Sequence, residues 1–197
     1  MDDWEKWVNT DRDMPLLVKA ALAHYQFEAL HPFSDGNGRL GRLVVTLQLI
    51  QAEALEYPIL NLSTWLEPRR NSYIDHLLEV TTTGDFDPWV AFFAKAVKAR
   101  ADVASETISR LLEIRQDFLG ILQSQGCRGS IVNLAGDLIG YPILDVGGAQ
   151  ALTGVSYQSA NSAVARLVEL GILAEVTGRN YGRVFRCERV FNAIADA

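Results

Sequence analysis

An apolar repeat of three to four residues governs the chain as far as Leu122, and its sharpest break is a glycine-rich segment after His31. Pro15 stands where a first helical turn tolerates proline. Leu16, Leu17, Ala20, Ala21, Ala23, His24 and Phe27 follow at helical spacing, which predicts a helix from Asp13 to about Ala29. A second helical run covers Leu40 to Ala54, a third lies between Ser63 and Val80, and Asp87-Pro88 opens a longer one. That last pattern includes Trp89, Phe92, Phe93, Ala96 and Val97 and resumes at Val103, Ile108, Leu111, Leu112, Phe118 and Leu122, as one long helix or as two. Its apolar stripe fits core or dimer packing. Gly120 to Gly129 is the best linker, so we place a boundary near Gln125 between a body, 1–125, and a tail, 126–197.

The tail has a different order of elements. Asp145 to Leu152 reads as a short helix, Thr153-Gly154-Val155 as a tight turn, and Ser156 as the cap of a helix that runs to about Leu170, where Gly171 ends it. Ile172 to Val176 and Arg183 to Arg186 then read as two strands around a polar turn, Thr177 to Gly182. This is the succession of a winged helix-turn-helix with a small β-hairpin. If its second helix enters a major groove, Tyr157, Gln158 and Asn161 lie near the reading end, with Arg179 and Arg183 on the wing for phosphates. Charge adds nothing to a DNA-binding reading, because the six Arg of residues 127–197 are balanced by three Asp and three Glu. The alternative is a tail that packs on the body or on a second subunit.

Composition narrows the function classes. With 49% hydrophobic residues in 197, the chain can bury one large core or two modest ones. The net charge of −6 gives no general attraction to nucleic acid or an anionic membrane. Cys127 and Cys187 are too few for a disulfide scaffold and lack zinc-site spacing. The apolar runs are too short to span a membrane and the N-terminus is too polar for a signal peptide, so a cytoplasmic protein is expected.

The chemistry concentrates in His31-Pro32-Phe33-Ser34-Asp35-Gly36-Asn37-Gly38-Arg39-Leu40-Gly41-Arg42. Small residues before a helix let a ligand approach the backbone, and the unpaired N–H groups and dipole of the helix start favour phosphate oxygens. Arg39 and Arg42, three apart, can reach a polyphosphate along that entrance. Asp35 beside bound phosphates suits magnesium, which keeps several waters and takes only one or two protein carboxylates. His31 is the candidate base, since an imidazole titrates near neutral pH and can take a proton from an attacking hydroxyl. Each residue alone is weak evidence: a histidine beside a proline is more often packed or surface, and Asp-Gly and Asn-Gly are common turns.

Together they are not weak. The segment resembles the Fic family signature HPFx(D/E)GNGRxxR at all nine specified positions, a match expected by chance on the order of once in a billion such chains. The resemblance extends through Ala23 to Leu30, Pro58-Ile59-Leu60, Ser63, Arg70, Tyr73 and Asp87 to Phe93, and the tail is similar to the winged helices of many bacterial Fic proteins. It implies a Fic-type helical bundle followed by the winged helix. It also implies a protein adenylyltransferase that moves AMP from ATP to a Ser, Thr or Tyr hydroxyl. By position, the resemblance makes His31 the base, Asp35 the magnesium ligand and Asn37 a contact to the α-phosphate. Gly36 and Gly38 become the anion cradle, and Arg39 and Arg42 the polyphosphate clamp. Phe33 is expected to anchor the loop in the core, and Tyr73 to lie near the base pocket.

Three features qualify the resemblance. Only 30 residues precede His31, so the β-hairpin flap that docks the target in Fic proteins is not seen and the Fic body reads as N-terminally incomplete. The autoinhibitory pattern (S/T)xxxE(G/N) is not found either: Ser63 to Glu67 has its spacing but continues with Pro68. Removal of AMP, which would need that glutamate, is disfavoured. Finally, the tail leaves a second class open, a DNA-binding regulator whose Fic body senses nucleotide or is inactive. Family habit and the long apolar helix add a second copy of this chain as a partner.

Overall fold

The computed structural model describes residues 1–10, 14–179 and 181–195. Asp13, where the first main helix was expected to begin, and Asn180 of the polar turn lie outside the described residues. The protein is mainly helical, and it divides into two compact units, Met1–Ala104 and Ser105–Ala197.

The first unit contains α1 (Asp2–Asn9), α2 (Leu16–Leu30), α3 (Asn37–Gln51), α4 (Ser63–Leu66), α5 (Arg70–Thr83) and the start of α6 (Asp87–Ser124). Pro15 is the N-cap of α2, which its fixed φ suits. The helix expected from Leu40 begins three residues earlier, at Asn37, because Gly36 adopts a left-handed φ of 85° that turns the chain directly into α3. The third expected helix is broken. A 3₁₀ turn at Glu67–Arg69 separates α4 from α5, as Pro68 removes a backbone donor there. Ala20 and Ala21 of α2, Val45 and Leu49 of α3, and Trp89 and Phe93 of α6 form the heart of this core. The Trp89 indole N–H donates to the Ala21 carbonyl at 2.9 Å, so the largest buried side chain is also satisfied as a donor.

α6 is a single helix. Its end supplies Ile114, Phe118 and Leu122 to the second core, which moves the division of compact units well upstream of Gln125. The second unit continues with α7 (Ser130–Asp137), β1 (Ile143–Asp145), α8 (Val146–Thr153), α9 (Tyr157–Glu169), β2 (Ala174–Glu175), β3 (Val184–Arg186) and α10 (Glu188–Ala195). Asp145 and Ser156 cap α8 and α9, accepting from the N–H groups of Gly148 and Ser159. Gly154 and Gly171 follow them with φ of 68° and 69°.

The three strands form an antiparallel sheet in the order β1-β3-β2, with Leu144 opposite Phe185 and Ala174 opposite Arg186. The strand expected over Ile172 to Val176 shrinks to two residues, since Ile172 and Leu173 close the end of α9 through N–H bonds to the Leu167 carbonyl. Among the described residues no helix is long and apolar enough to cross a membrane.

Candidate active site

The last turn of α2 and the first turn of α3 are joined by six residues, and the join is held by one buried amide. The Asn37 side chain accepts from the Phe33 N–H at 2.9 Å and donates to the Phe33 carbonyl at 2.6 Å. Asn37 is only 2% exposed, so this two-way clamp fixes the loop in a shielded setting where hydrogen bonds count for more. With its amide so engaged, what Asn37 offers a ligand most directly is its main-chain N–H, the first of α3. No side chain among the described residues caps that helix, which leaves the N–H groups of its first turn open. His31 ends α2 in a left-handed conformation, φ 43° and ψ 56°, rare for a residue with a side chain. Its N–H still closes on the Phe27 carbonyl.

A cavity of about 650 Å³ opens over this loop. Eight of the expected residues line it: His31, Asp35, Gly36, Asn37, Gly38, Arg39, Arg42 and Tyr73. Arg39 and Asp35 are both exposed and pair at 3.2 Å. Arg42 is half-buried, and its Nε donates to the Ser63 hydroxyl at 2.7 Å. Phe33 departs from expectation. It is 49% exposed and lies outside the core, because Asn37 holds its backbone and its ring only leans on Phe27, 6.4 Å between centroids.

Behind the cavity lies a group of residues that the signature does not include. His24 is 1% exposed, stacked 5.9 Å from the Trp89 ring, and its Nε2 meets the Tyr73 hydroxyl at 2.9 Å. Burial pushes its pKa down to about 4, so the ring is neutral at physiological pH. Burial likewise raises Tyr73 and keeps its hydroxyl protonated. Glu28 is raised by burial too, against the opposing pull of Arg42 and His31. A Cβ on Gly41 would stand 2.7 Å from Glu28 Oε1 and 3.0 Å from the His24 ring, so this glycine exists to admit both side chains. A signal for the group was present in the sequence: His24, Glu28 and His31 are spaced i, i+4, i+7 and share one helical face.

Among the described residues no three His, Cys, Asp or Glu side chains cluster as a metal site. A single exposed carboxylate at the edge of a phosphate-sized cradle still fits magnesium, which takes most of its ligands from water and phosphate.

In the second unit, Tyr157 and Gln158 are exposed on the first turn of α9, and Arg179 is exposed before the second strand of the hairpin. Arg183 is drawn to its own unit, donating to Asn161 at 3.4 Å and standing 4.0 Å from Glu175.

The Fic/DOC family model matches residues 1–49, which include the whole loop. The chain is 35% identical over 105 residues to proteins named protein adenylyltransferase Fic from Drosophila yakuba and Culex quinquefasciatus. Over these residues the chain is similar to the Fic family. Each match covers 52% of this chain and 20% of the relative, so the chain spans about a fifth of the length of the curated Fic proteins it matches. A solved Fic family protein from Desulfovibrio desulfuricans shares the fold over 94% of this chain and 53% of its own, with a TM-score of 0.50 at 22% identity.

Proposed function

We propose that the chain is a protein adenylyltransferase, moving AMP from ATP to a Ser, Thr or Tyr hydroxyl of a protein. The observation that carries this reading is the convergence of His31, Arg39, Arg42 and the open N-terminus of α3 on one cavity. The similarity to proteins named adenylyltransferase supports it. His31 takes the proton of the target hydroxyl as its oxygen attacks the α-phosphorus; the bond between the α- and β-phosphates breaks, and pyrophosphate leaves. Arg42, steadied by Ser63, and Arg39 hold the β- and γ-phosphates, so that the α-phosphorus faces the hydroxyl. The N–H groups at the start of α3 stabilise charge on the transferred group. Asp35 would hold magnesium, which supplies charge neutralisation on the phosphates.

Residues 126–197 are read as a winged helix-turn-helix, supported by α8 and α9 about a glycine turn and by the antiparallel pairing of β2 and β3. A DNA-binding regulator remains the second reading. The exposure of Tyr157, Gln158 and Arg179 favours it, and the internal pairing of Arg183 with Asn161 and Glu175 weakens it.

The test is transfer of label from α-phosphate-labelled ATP, with magnesium, to proteins of a cell lysate or to the chain itself. Label that appears with the wild type and vanishes with His31→Ala supports adenylylation. Label unchanged by His31→Ala, or absent throughout, contradicts it.

A further inference from the structure

Glu28 and Glu67 are the carboxylates of the cavity wall that the reaction leaves without a task; Glu67 is exposed, and Glu28 is the one set into the wall. It is placed where a carboxylate is hardest to keep charged. Its side chain is 12% exposed, and Oε1 is buried with no hydrogen-bond partner among the described residues. The same oxygen lies 2.7 Å from the position a Cβ on Gly41 would take and 3.8 Å from that on Gly38. The carboxylate is therefore pressed against the first turns of α3, beside the N–H groups and the Arg42 guanidinium that would receive phosphates.

The charged and titratable groups that face Glu28 are His24 and His31 from its own helix, Arg42 from α3 and Tyr73 from α5. His24, 3.9 Å away, is neutral, and Tyr73 keeps its proton, so neither exchanges one near neutral pH. Without a ligand, Arg42 is the cation whose charge favours the ionised carboxylate against burial. A polyphosphate on Arg42 brings several negative charges to the same cation and cancels that support. Two anions then share one arginine in a partly desolvated wall, and Glu28, whose charge burial already disfavours, can shed that charge by taking a proton from solvent.

Resting on the adenylyltransferase reading for the identity of the ligand, we propose that Glu28 is a positioning residue that takes up a proton when a polyphosphate occupies the cavity. The charged form is balanced by the nearby Arg42 charge in the free protein, and the neutral form removes a like charge from the bound phosphates. The proton comes from bulk solvent and returns to it when the ligand leaves, with no bond made to the nucleotide. Binding must then weaken as pH rises, with a limiting slope of about tenfold per pH unit for one proton. Gly41 follows from the same design, since any side chain there would displace the carboxylate.

The experiment is calorimetric titration of the full chain with ATP and magnesium, in two buffers of different ionisation enthalpy at each of a series of pH values from the carboxylate range up to neutrality. The wild type is expected to take up a fraction of a proton per ATP bound. The isosteric Glu28→Gln variant is expected to lose that uptake and flatten the pH dependence of binding, while Ser156→Ala, at the start of α9, keeps the uptake. Equal uptake in wild type and Glu28→Gln, or none in the wild type, overturns the proposal while leaving the nucleotide site intact. Failure of ATP to bind at all overturns the nucleotide reading and this proposal with it. If Glu28→Gln does not fold, the carboxyl carbon of Glu28 followed by ¹³C NMR in the wild type gives the answer. Movement toward the protonated shift on adding ATP at fixed pH supports the proposal, and no movement overturns it.

Discussion

In residues 1–104 the buried set includes His24, Asn37, Thr46 and Gln48, whereas in residues 105–197 the described buried residues are apolar side chains, Gly136 and Cys187. The helix starts differ in the same sense. α8 and α9 have their own caps in Asp145 and Ser156, while α3 opens on the cavity without one. The second unit is held by apolar packing, although its α7 starts at Gly129 without a side-chain cap. The first keeps an open helix end and a buried carboxylate oxygen side by side at one cavity, where a ligand can complete them.

The sharpest way to stress that contrast is to compare packing damage with protonation damage. Leu134→Ala, at a site with 0% exposure in the second core, should lower stability by about 2–5 kcal/mol and leave the pH profile of unfolding unchanged, as denaturant titrations at several pH values would record. His24→Leu should act differently. The His24 pKa lies near 4 in the folded chain against 6.5 in the unfolded one, so below pH 6.5 the unfolded state binds more protons and wild-type stability falls as pH drops toward 4. The variant should lose that component, worth up to roughly 3 kcal/mol at the acid end.

A smaller effect is expected from Gly41→Ala, whose Cβ would sit 2.7 Å from Glu28 Oε1. Crowding of this kind costs about 1–3 kcal/mol, and thermal melting would detect it; an unchanged melting temperature would mean the carboxylate moves freely. Ser156→Ala should be milder still, about 1 kcal/mol for a lost N-cap, with a thermal shift in the second unit and no change in ATP binding.

How far the sequence is legible follows the same division. Helices built on a local pattern, such as α2 behind Pro15 and α9 behind Ser156, can be read directly because cap and period both lie in the segment. The start of α3 could not, since Gly36-Asn37-Gly38 looks like a turn until the left-handed Gly36 and the Asn37 clamp make it a helix entrance. The short strands escape for a related reason: two or three residues carry no period, and their pairing joins segments far apart in the chain.

At the site, the signature residues are legible as chemistry, and the cavity brings seven of them together with Tyr73. Ser63 and Gly41 are not, because their meaning lies in tertiary contacts, a hydroxyl under Arg42 and a missing Cβ; the spacing of His24 and Glu28 marks a shared helical face but not the space beside Gly41 that they fill. Phe33 was misplaced because an aromatic in a signature reads as an anchor, whereas here a buried amide anchors the loop.

On the adenylyltransferase reading, the chemistry resides in the loop between α2 and α3 and not in the second unit. The most direct measurement is α-phosphate label transfer from ATP by three proteins side by side: wild type, His31→Ala, and a Tyr157→Ala/Gln158→Ala double variant of the exposed turn of α9. The account predicts that His31→Ala lowers transfer by about 10²- to 10⁴-fold, the usual contribution of a general base, while the α9 variant transfers like the wild type. Transfer that survives His31→Ala but is lost in the α9 variant would contradict it.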